Sequence, residues 1–329
     1  MGFLDYAWSV SLQKDNVKTR ILLNPELQQP TLTRDETRFN ITLPVPSMSE
    51  EGTISFLGYE FPADSTGKAK VGRLFRACVL HLTTHTLMPI DDENTVSPKS
   101  KRTIVETFSE SLVNDVWVDA YLFAQYPDKL ADIAFANSLA FTKMKPIERI
   151  FNPATRIMTA LLSKINIGII KGENSPEEKN LVNQLTTKLS SLKKEIVTSL
   201  ARKEIKIDEL NETANDVTQV LESHGPILEA PSLRYTEQTG PCTVFSQWEM
   251  PSEFEIERIF RESLKTLGGM VPSEGFMESC WRKESNAEAS QAFDTWFHQK
   301  NREKRILAKL EKCMEGTRFK SIGFPDEDY

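Results

Sequence analysis

Two histidines four positions apart are the residues of this sequence whose types and spacing are best suited to chemistry. They are His81 and His85, in the segment Arg76-Ala-Cys-Val-Leu-His-Leu-Thr-Thr-His85 of a chain that has four histidines. In a helix, this spacing places both imidazoles on one face, one turn apart. Two imidazoles so arranged can bind one tetrahedral metal ion, and the sequence therefore predicts a metal site, with zinc as the ion.

The next predicted helix offers candidates for a third ligand of this site. Asp115 and Asp119 stand four positions apart there, among valines and Trp117. A carboxylate from this pair would give three protein ligands and leave one position for water. Two alternatives to metal binding stay open. In the first, the histidines are polar residues of a half-buried helix that bond to nearby carbonyls. In the second, the two acids form salt bridges on an exposed face.

Two predicted helices must position these residues. Apolar residues at helical spacing predict a helix from about 71 to 87, ended by Pro89, and a second from about 103 to 124. Cys78 precedes His81 by three positions and lies near the same face. Three successive positions along one straight helix cannot easily all reach one ion. We therefore interpret Cys78 as a packed thiol, with ligation as the alternative.

The rest of the chain is predicted to be mainly α, with a small N-terminal β-hairpin formed by residues 36–43 and 53–61. Ser175, Pro176 and Glu178 predict a helix start with a capping box, and the long helix that follows forms a helical hairpin ending at Gly225. The other predicted helices are at about 127–143, 147–170, 252–267 and 286–315. These elements predict three domains: residues 1–145 with the hairpin and the histidines, 146–225 with the helical hairpin, and 226–329 with a loop and C-terminal helices.

The order of these motifs resembles a known family. A helix with H-x-x-x-H from His81 to His85, a loop, and a helix with Asn114-Asp115 and an apolar step to Asp119 are similar to the zincin-type metallopeptidase region beside von Willebrand A domains. That region occurs in relatives of the nitric oxide reductase activation protein and the cobaltochelatase helper subunit. The resemblance covers about residues 70–125. It implies a zincin-like helical domain and a partner subunit that carries a von Willebrand A domain.

The sequence departs from the peptidase motif at one position that matters for catalysis. In H-E-x-x-H the glutamate is the general base that activates metal-bound water, and this chain has Leu82 there. Loss of a general base removes a factor of about 10² to 10⁴ in rate. The prediction is a pseudo-metallopeptidase-like subunit, non-catalytic or weakly catalytic, that acts through protein–protein interaction. The alternatives are a zinc-dependent hydrolase with Glu106 or Glu110 as its base, and a metal-free helical adaptor.

Composition excludes several classes of function. The formal charge of −7 disfavours nucleic acid as a partner, because the field of the chain repels a phosphate backbone. Four widely spaced cysteines without a C-x-x-C motif indicate a reducing compartment rather than a disulfide framework. The sequence has no signal-peptide pattern and no run of about 20 apolar residues. We therefore expect a cytoplasmic protein that does not enter a membrane.

Overall fold

The computed structural model describes residues 18–35, 38–49, 52–88, 102–202, 207–237, 244–245 and 252–271, with positions 308 and 310. The predicted helix at 286–315 otherwise lies outside these described residues. The contacts divide the chain into two units. The first unit holds the described residues up to Leu87 and the segment Arg234–Glu237, and the second holds Met88–Leu233 with the described residues from 244 to 271. This division falls elsewhere than the predicted domain boundaries near 145 and 225, which stay a prediction.

Two small sheets occupy the N-terminal part of the first unit. Their strands are β1 Lys18–Asn24, β2 Thr31–Asp35, β3 Arg38–Pro44, β4 Ser47–Met48, β5 Thr53–Phe56 and β6 Tyr59–Pro62. The first sheet has the order β1-β3-β2, with β1 parallel and β2 antiparallel to β3. Phe39, Ile41 and Leu43 of β3 are all buried. This period of two is that of a strand with one face in a core.

Strands at the N-terminus of a mainly helical chain are confirmed, but their pairing differs from the predicted hairpin. Residues 36–43 and 53–61 are not partners, because β3 belongs to the first sheet and the second segment is itself split. β5 and β6 form an antiparallel hairpin within the second sheet, in the order β4-β5-β6. Their turn has positive φ at Leu57 (52°) and Gly58 (74°), as a two-residue type I′ turn requires. The predicted pairing is wrong because the turn at Leu57 and Gly58 splits residues 53–61 into two strands, which pair with each other.

Helix α1, Ser65–His85, follows the second sheet in the first unit. It begins ahead of the predicted start near residue 71, because the Asp64 carboxylate accepts the backbone N–H of Gly67 at 2.7 Å. Such an N-cap satisfies one of the donors left free at a helix start. The apolar residues of α1 between Val71 and Leu82 are almost completely buried. A helix that is apolar on most faces is buried, and α1 carries His81 in a buried position and His85 in a partly exposed one.

The second unit is helical in the part that the structure describes. Its helices are α2 Ile104–Gln125, α3 Leu130–Lys143, α4 Pro153–Asn166, α5 Pro176–Arg202, α6 Ile207–Glu222 and α7 Glu253–Leu267. The capping box predicted at the start of α5 is confirmed. The Ser175 hydroxyl accepts the backbone N–H of Glu178, and the Glu178 carboxylate accepts that of Ser175, both at 3.2 Å.

The apolar stripes of the predicted helical hairpin are buried within the chain. They belong to α5 and α6, and their buried members include Leu185, Leu189, Leu210, Val217 and Leu221. Both helices pack mainly against α2, and less against each other. The two helices of the hairpin therefore enclose the helix that carries Asp115 and Asp119.

A buried polar network joins three helices of the second unit. The side-chain amide of Asn137 on α3 donates to the backbone oxygen of Asn166 at the end of α4, and to the hydroxyl of Ser263 on α7. Ser263 donates in turn to the same oxygen of Asn166 at 2.8 Å. Buried polar groups that are paired in this way cost little and fix how helices align.

Membrane-spanning character is absent from the described helices. None of them combines the length and the apolar composition that crossing a bilayer requires.

Candidate metal centre

The side chains of His81 and His85 meet across one turn of α1. Their Nε2 atoms lie 2.9 Å apart, and the two rings meet edge to face with centroids 4.6 Å apart. The predicted common face is therefore observed. At 2.9 Å one imidazole donates an N–H and the other accepts it, with the roles set by the tautomers.

This pair has the geometry of two nitrogen ligands, apart from a small adjustment. Zinc–nitrogen bonds of about 2.0–2.1 Å in a tetrahedral site place two nitrogen ligands about 3.3 Å apart. The observed separation of the Nε2 atoms is 2.9 Å. Binding an ion would therefore replace the shared proton and open the pair by a few tenths of an ångström. Side-chain rotation suffices for that, since χ2 of histidine is a broad torsion.

The environment of the pair differs at its two ends. His81 is 1% exposed, whereas His85 is partly exposed. The ring of Tyr235 packs against His81 edge to face, with centroids 5.4 Å apart and planes at 83°. The pair is thus closed on the side of His81 and open toward solvent at His85, which gives an ion or a water molecule a way in.

Tyr235 is the residue of this site that the sequence analysis does not find. It lies in the predicted loop of the domain 226–329, and Tyr235 and the neighbouring Thr236 are 2% and 5% exposed. An aromatic residue in an irregular segment is a weak local signal. The contact joins positions far apart in sequence, and a single sequence carries no information about such a pairing.

The two candidate acids are buried on α2 in the second unit. Asp115 is 7% exposed and Asp119 is 2% exposed. Asp115 and Asp119 therefore do not form salt bridges on an exposed face. Helix α2 is fixed in register by its own N-terminal capping box, in which Thr103 accepts the backbone N–H of Glu106 and Glu106 accepts that of Thr103. Capping of this kind stabilises a helix start and so sets where both acids stand along α2.

Asp119 has a cationic neighbour within the second unit. Burial lowers the pKa of Lys193 on α5, and the Asp119 carboxylate acts against this by raising it. The Lys193 ammonium also lies 3.5 Å from the carbonyl oxygen of Thr266 and 3.4 Å from that of Leu267, at the end of α7. Cations are favoured at a helix C-terminus. Asp119 therefore lies in the electrostatic surroundings of a partly buried lysine.

Cys78 and Leu82 are both completely buried on α1. Burial raises the pKa of the Cys78 thiol, and metals bind the thiolate. Cys78 is therefore a packed core thiol, in agreement with its interpretation from the sequence. Leu82 occupies the position of the peptidase glutamate and offers no polar atom from its side chain.

Glu106 and Glu110, the two acids considered as general bases, take part in contacts at the start of α2. Glu106 completes the capping box, and Glu110 forms an ion pair with Arg102. They stand nine and five positions before Asp115. At 1.5 Å per residue this is about 13 Å and about 7 Å along the helix axis.

Two of the predicted ligands lie together in the first unit. His81 and His85 each offer an imidazole nitrogen, and imidazole pairs of this kind are part of zinc sites and of some iron sites.

Comparisons with known proteins add no relative. No family model, no curated protein and no solved structure matches the chain.

Proposed function

We propose that this protein is a metal-binding partner subunit, in which His81 and His85 hold a divalent ion and the chain acts through protein–protein interaction. The observation that carries the proposal is the approach of the two Nε2 atoms to 2.9 Å. At this distance the two nitrogens share either a proton or an ion, because buried polar groups need hydrogen bonds or ligands.

Asp115, on α2 of the second unit, is kept as the proposed third ligand on the sequence pattern alone. Its carboxylate is buried, and an anionic ligand offsets the cost of placing a divalent ion in a protein interior. Asp119 is the weaker candidate because its charge already supports the Lys193 ammonium. The fourth position is filled by water if the site is catalytic in form, and by protein if the site is structural.

Zinc is the proposed ion. It accepts imidazole nitrogen and carboxylate oxygen in tetrahedral sites. The same donors suit ferrous iron when further positions are open. Elemental analysis of the purified protein distinguishes the two ions. Elemental analysis that finds iron instead of zinc would keep the site and change the ion.

The subunit is proposed to be non-catalytic or weakly catalytic because Leu82, a buried apolar residue, stands at the position of the general base in the peptidase motif. The resemblance to the zincin-like region supports the same role. It also supports a partner that carries a von Willebrand A domain. The cytoplasm is the proposed compartment, because the widely spaced cysteines indicate a reducing environment. Cross-linking in the native cell, followed by identification of the captured proteins, tests this role. A partner with a von Willebrand A domain supports it, and a set of partners without one contradicts it.

No contact in the described part of the chain favours the hydrolase alternative. Glu106 and Glu110 would have to leave the capping box and the ion pair with Arg102 to act as a base. Hydrolysis of a peptide library by the zinc-loaded protein, abolished by Glu106→Gln or Glu110→Gln, would establish the hydrolase. Zinc binding without hydrolysis supports the subunit.

The third ligand is tested by titrating zinc into matched aspartate variants. Asp115→Asn is expected to weaken binding by at least about tenfold, because an amide oxygen replaces an anionic ligand of the ion. Asp119→Asn is expected to bind zinc within about threefold of the unchanged protein while losing stability. Equal losses of affinity in both variants would show that both acids are ligands. No loss in either would remove α2 from the site.

A further inference from the structure

The segment Arg234–Glu237 belongs by its contacts to the first unit, although its neighbours in sequence belong to the second. It touches three separate elements of the first unit. Tyr235 packs on His81 of α1, Arg234 donates to the carbonyl oxygen of Leu57 at 3.4 Å, and the Glu237 carboxylate accepts the backbone N–H of Leu32 at 2.7 Å. We call residues 234–237 the strap.

The strap is anchored at one strand and at one turn. Leu32 is in β2, at one edge of the first sheet, and Leu57 is in the turn between β5 and β6. The guanidinium of Arg234 also fills the space beside Gly58, where any Cβ would collide with it. Both flanks of Tyr235 are therefore tied to backbone atoms of the sheets, which leaves its ring little freedom to shift.

The ring of Tyr235 bears on χ2 of His81, the torsion that turns the imidazole ring. Rotation about χ2 of histidine is poorly restrained by the side chain itself. In this structure the His81 ring has an edge-to-face contact with Tyr235, at 83°, and another with His85, at 77°. Edge-to-face aromatic contacts contribute about 0.5–1.5 kcal/mol beyond the burial of area. Such a contact selects one ring orientation over its rotated alternatives.

We infer that Tyr235 is a positioning residue of the metal site, which holds the His81 imidazole so that its Nε2 faces that of His85. This inference rests on the proposed function. It adds to that function a residue outside the helical motif, and it gives the strap a role in ion binding. The outer partners of metal ligands commonly act in this way, and their loss costs about 10- to 100-fold in metal affinity.

The test compares Tyr235→Leu with Tyr235→Phe in the full chain. Zinc affinity is measured by competition with a chromophoric chelator. Tyr235→Leu removes the ring and is expected to weaken zinc binding by about 10- to 100-fold. Tyr235→Phe keeps the ring edge and is expected to restore affinity to within about threefold of the unchanged protein. Phe56→Leu is the matched control, since Phe56 is a buried aromatic residue of β5 in the same unit. Phe56→Leu is expected to lower stability and to leave the contact of Tyr235 with His81 in place.

A second readout does not depend on metal. Nitrogen-15 NMR of the histidine rings at neutral pH reports which nitrogens carry protons and whether Nε2 shares a proton with its neighbour. Tyr235→Leu is expected to change the His81 and His85 signals, whereas Phe56→Leu leaves them in place. If the unchanged protein binds no zinc, the proposed function fails while the NMR comparison still reports on positioning. Unchanged affinity and unchanged ring signals in Tyr235→Leu would overturn the inference, as would equal losses in Tyr235→Leu and Phe56→Leu.

Discussion

The Nε2 atom of His81 lies 2.9 Å from the Nε2 atom of His85, across one turn of a buried helix. At this distance either one imidazole donates an N–H to the lone pair of the other, or a cation stands between two lone pairs. The pair is therefore a place for a shared proton or for a metal ion. Whether a proton or a metal ion fills it decides between a structural hydrogen bond and a metal-binding subunit.

The start of α2 offers a test of the role of Glu106. Thr103→Ala removes one half of the capping box and is expected to lower the free energy of unfolding by about 1 kcal/mol. Glu106→Gln should change it by less than about 0.5 kcal/mol, because glutamine also serves at this position of a capping box. Urea denaturation measures both. A large loss in Glu106→Gln would mean that its charge has a further role.

Cys78 predicts a fall in stability at alkaline pH. Burial raises the pKa of its thiol above the ordinary value of 9.0. Between 9.0 and the raised pKa of the folded protein, the unfolded chain has released the proton that the folded chain keeps. The stability from this group is therefore complete below pH 9 and is lost as pH rises further. The slope for one group is about 1.4 kcal/mol per pH unit. Urea denaturation from pH 7 to 11 should show a shallower fall in Cys78→Ala, and parallel curves would contradict the burial of the thiol.

Tyr59 is expected to contribute to the same alkaline fall. Burial raises the pKa of its phenol above the ordinary value of 10.0, and its hydroxyl has no hydrogen-bond partner among the described residues. Replacing a buried polar group that lacks a partner by an apolar one is nearly neutral or stabilising. Tyr59→Phe should therefore be at least as stable as the unchanged protein at pH 7, and should lose less stability above pH 10. Destabilisation by more than about 1 kcal/mol at pH 7 would show that the hydroxyl has a partner.

Lys193 and Asp119 are expected to be coupled in stability. Lys193→Met leaves the Asp119 carboxylate buried without this cation, and the loss should be about 2 kcal/mol, in the range of hydrogen bonds to charged groups. Asp119→Asn in the same background should restore part of the loss, which a double-mutant cycle measures as an interaction energy of at least about 0.5 kcal/mol. Strictly additive losses would show that the two groups act independently.

The parts of this fold that the sequence predicts are those set by local chemistry. The capping residues Ser175 and Glu178 mark a helix start because both partners of the box lie within one turn. The spacing of His81 and His85 places them together because an α-helix brings such positions onto one face. Local spacing is sufficient in each of these cases.

The parts that the sequence does not predict depend on contacts between distant positions. The parallel pairing of β1 with β3 skips the strand between them, and alternation along a strand does not name its partner. The contact of Tyr235 with His81 joins an irregular segment to a helix, and its aromatic ring carries no period that points to its neighbour. Even the turn at Gly58 is obscured, since the apolar residues on both sides continue one alternating pattern.

The most direct test of the central claim is the metal content of the purified protein beside that of the His81→Ala/His85→Ala double variant. Both are dialysed against a weak chelator and analysed for transition metals, with circular dichroism to show that the variant is folded. The account predicts about one equivalent of zinc in the unchanged protein and none in the folded variant. Absence of metal from the unchanged protein even after zinc is supplied, or retention of the full equivalent by the variant, would contradict it.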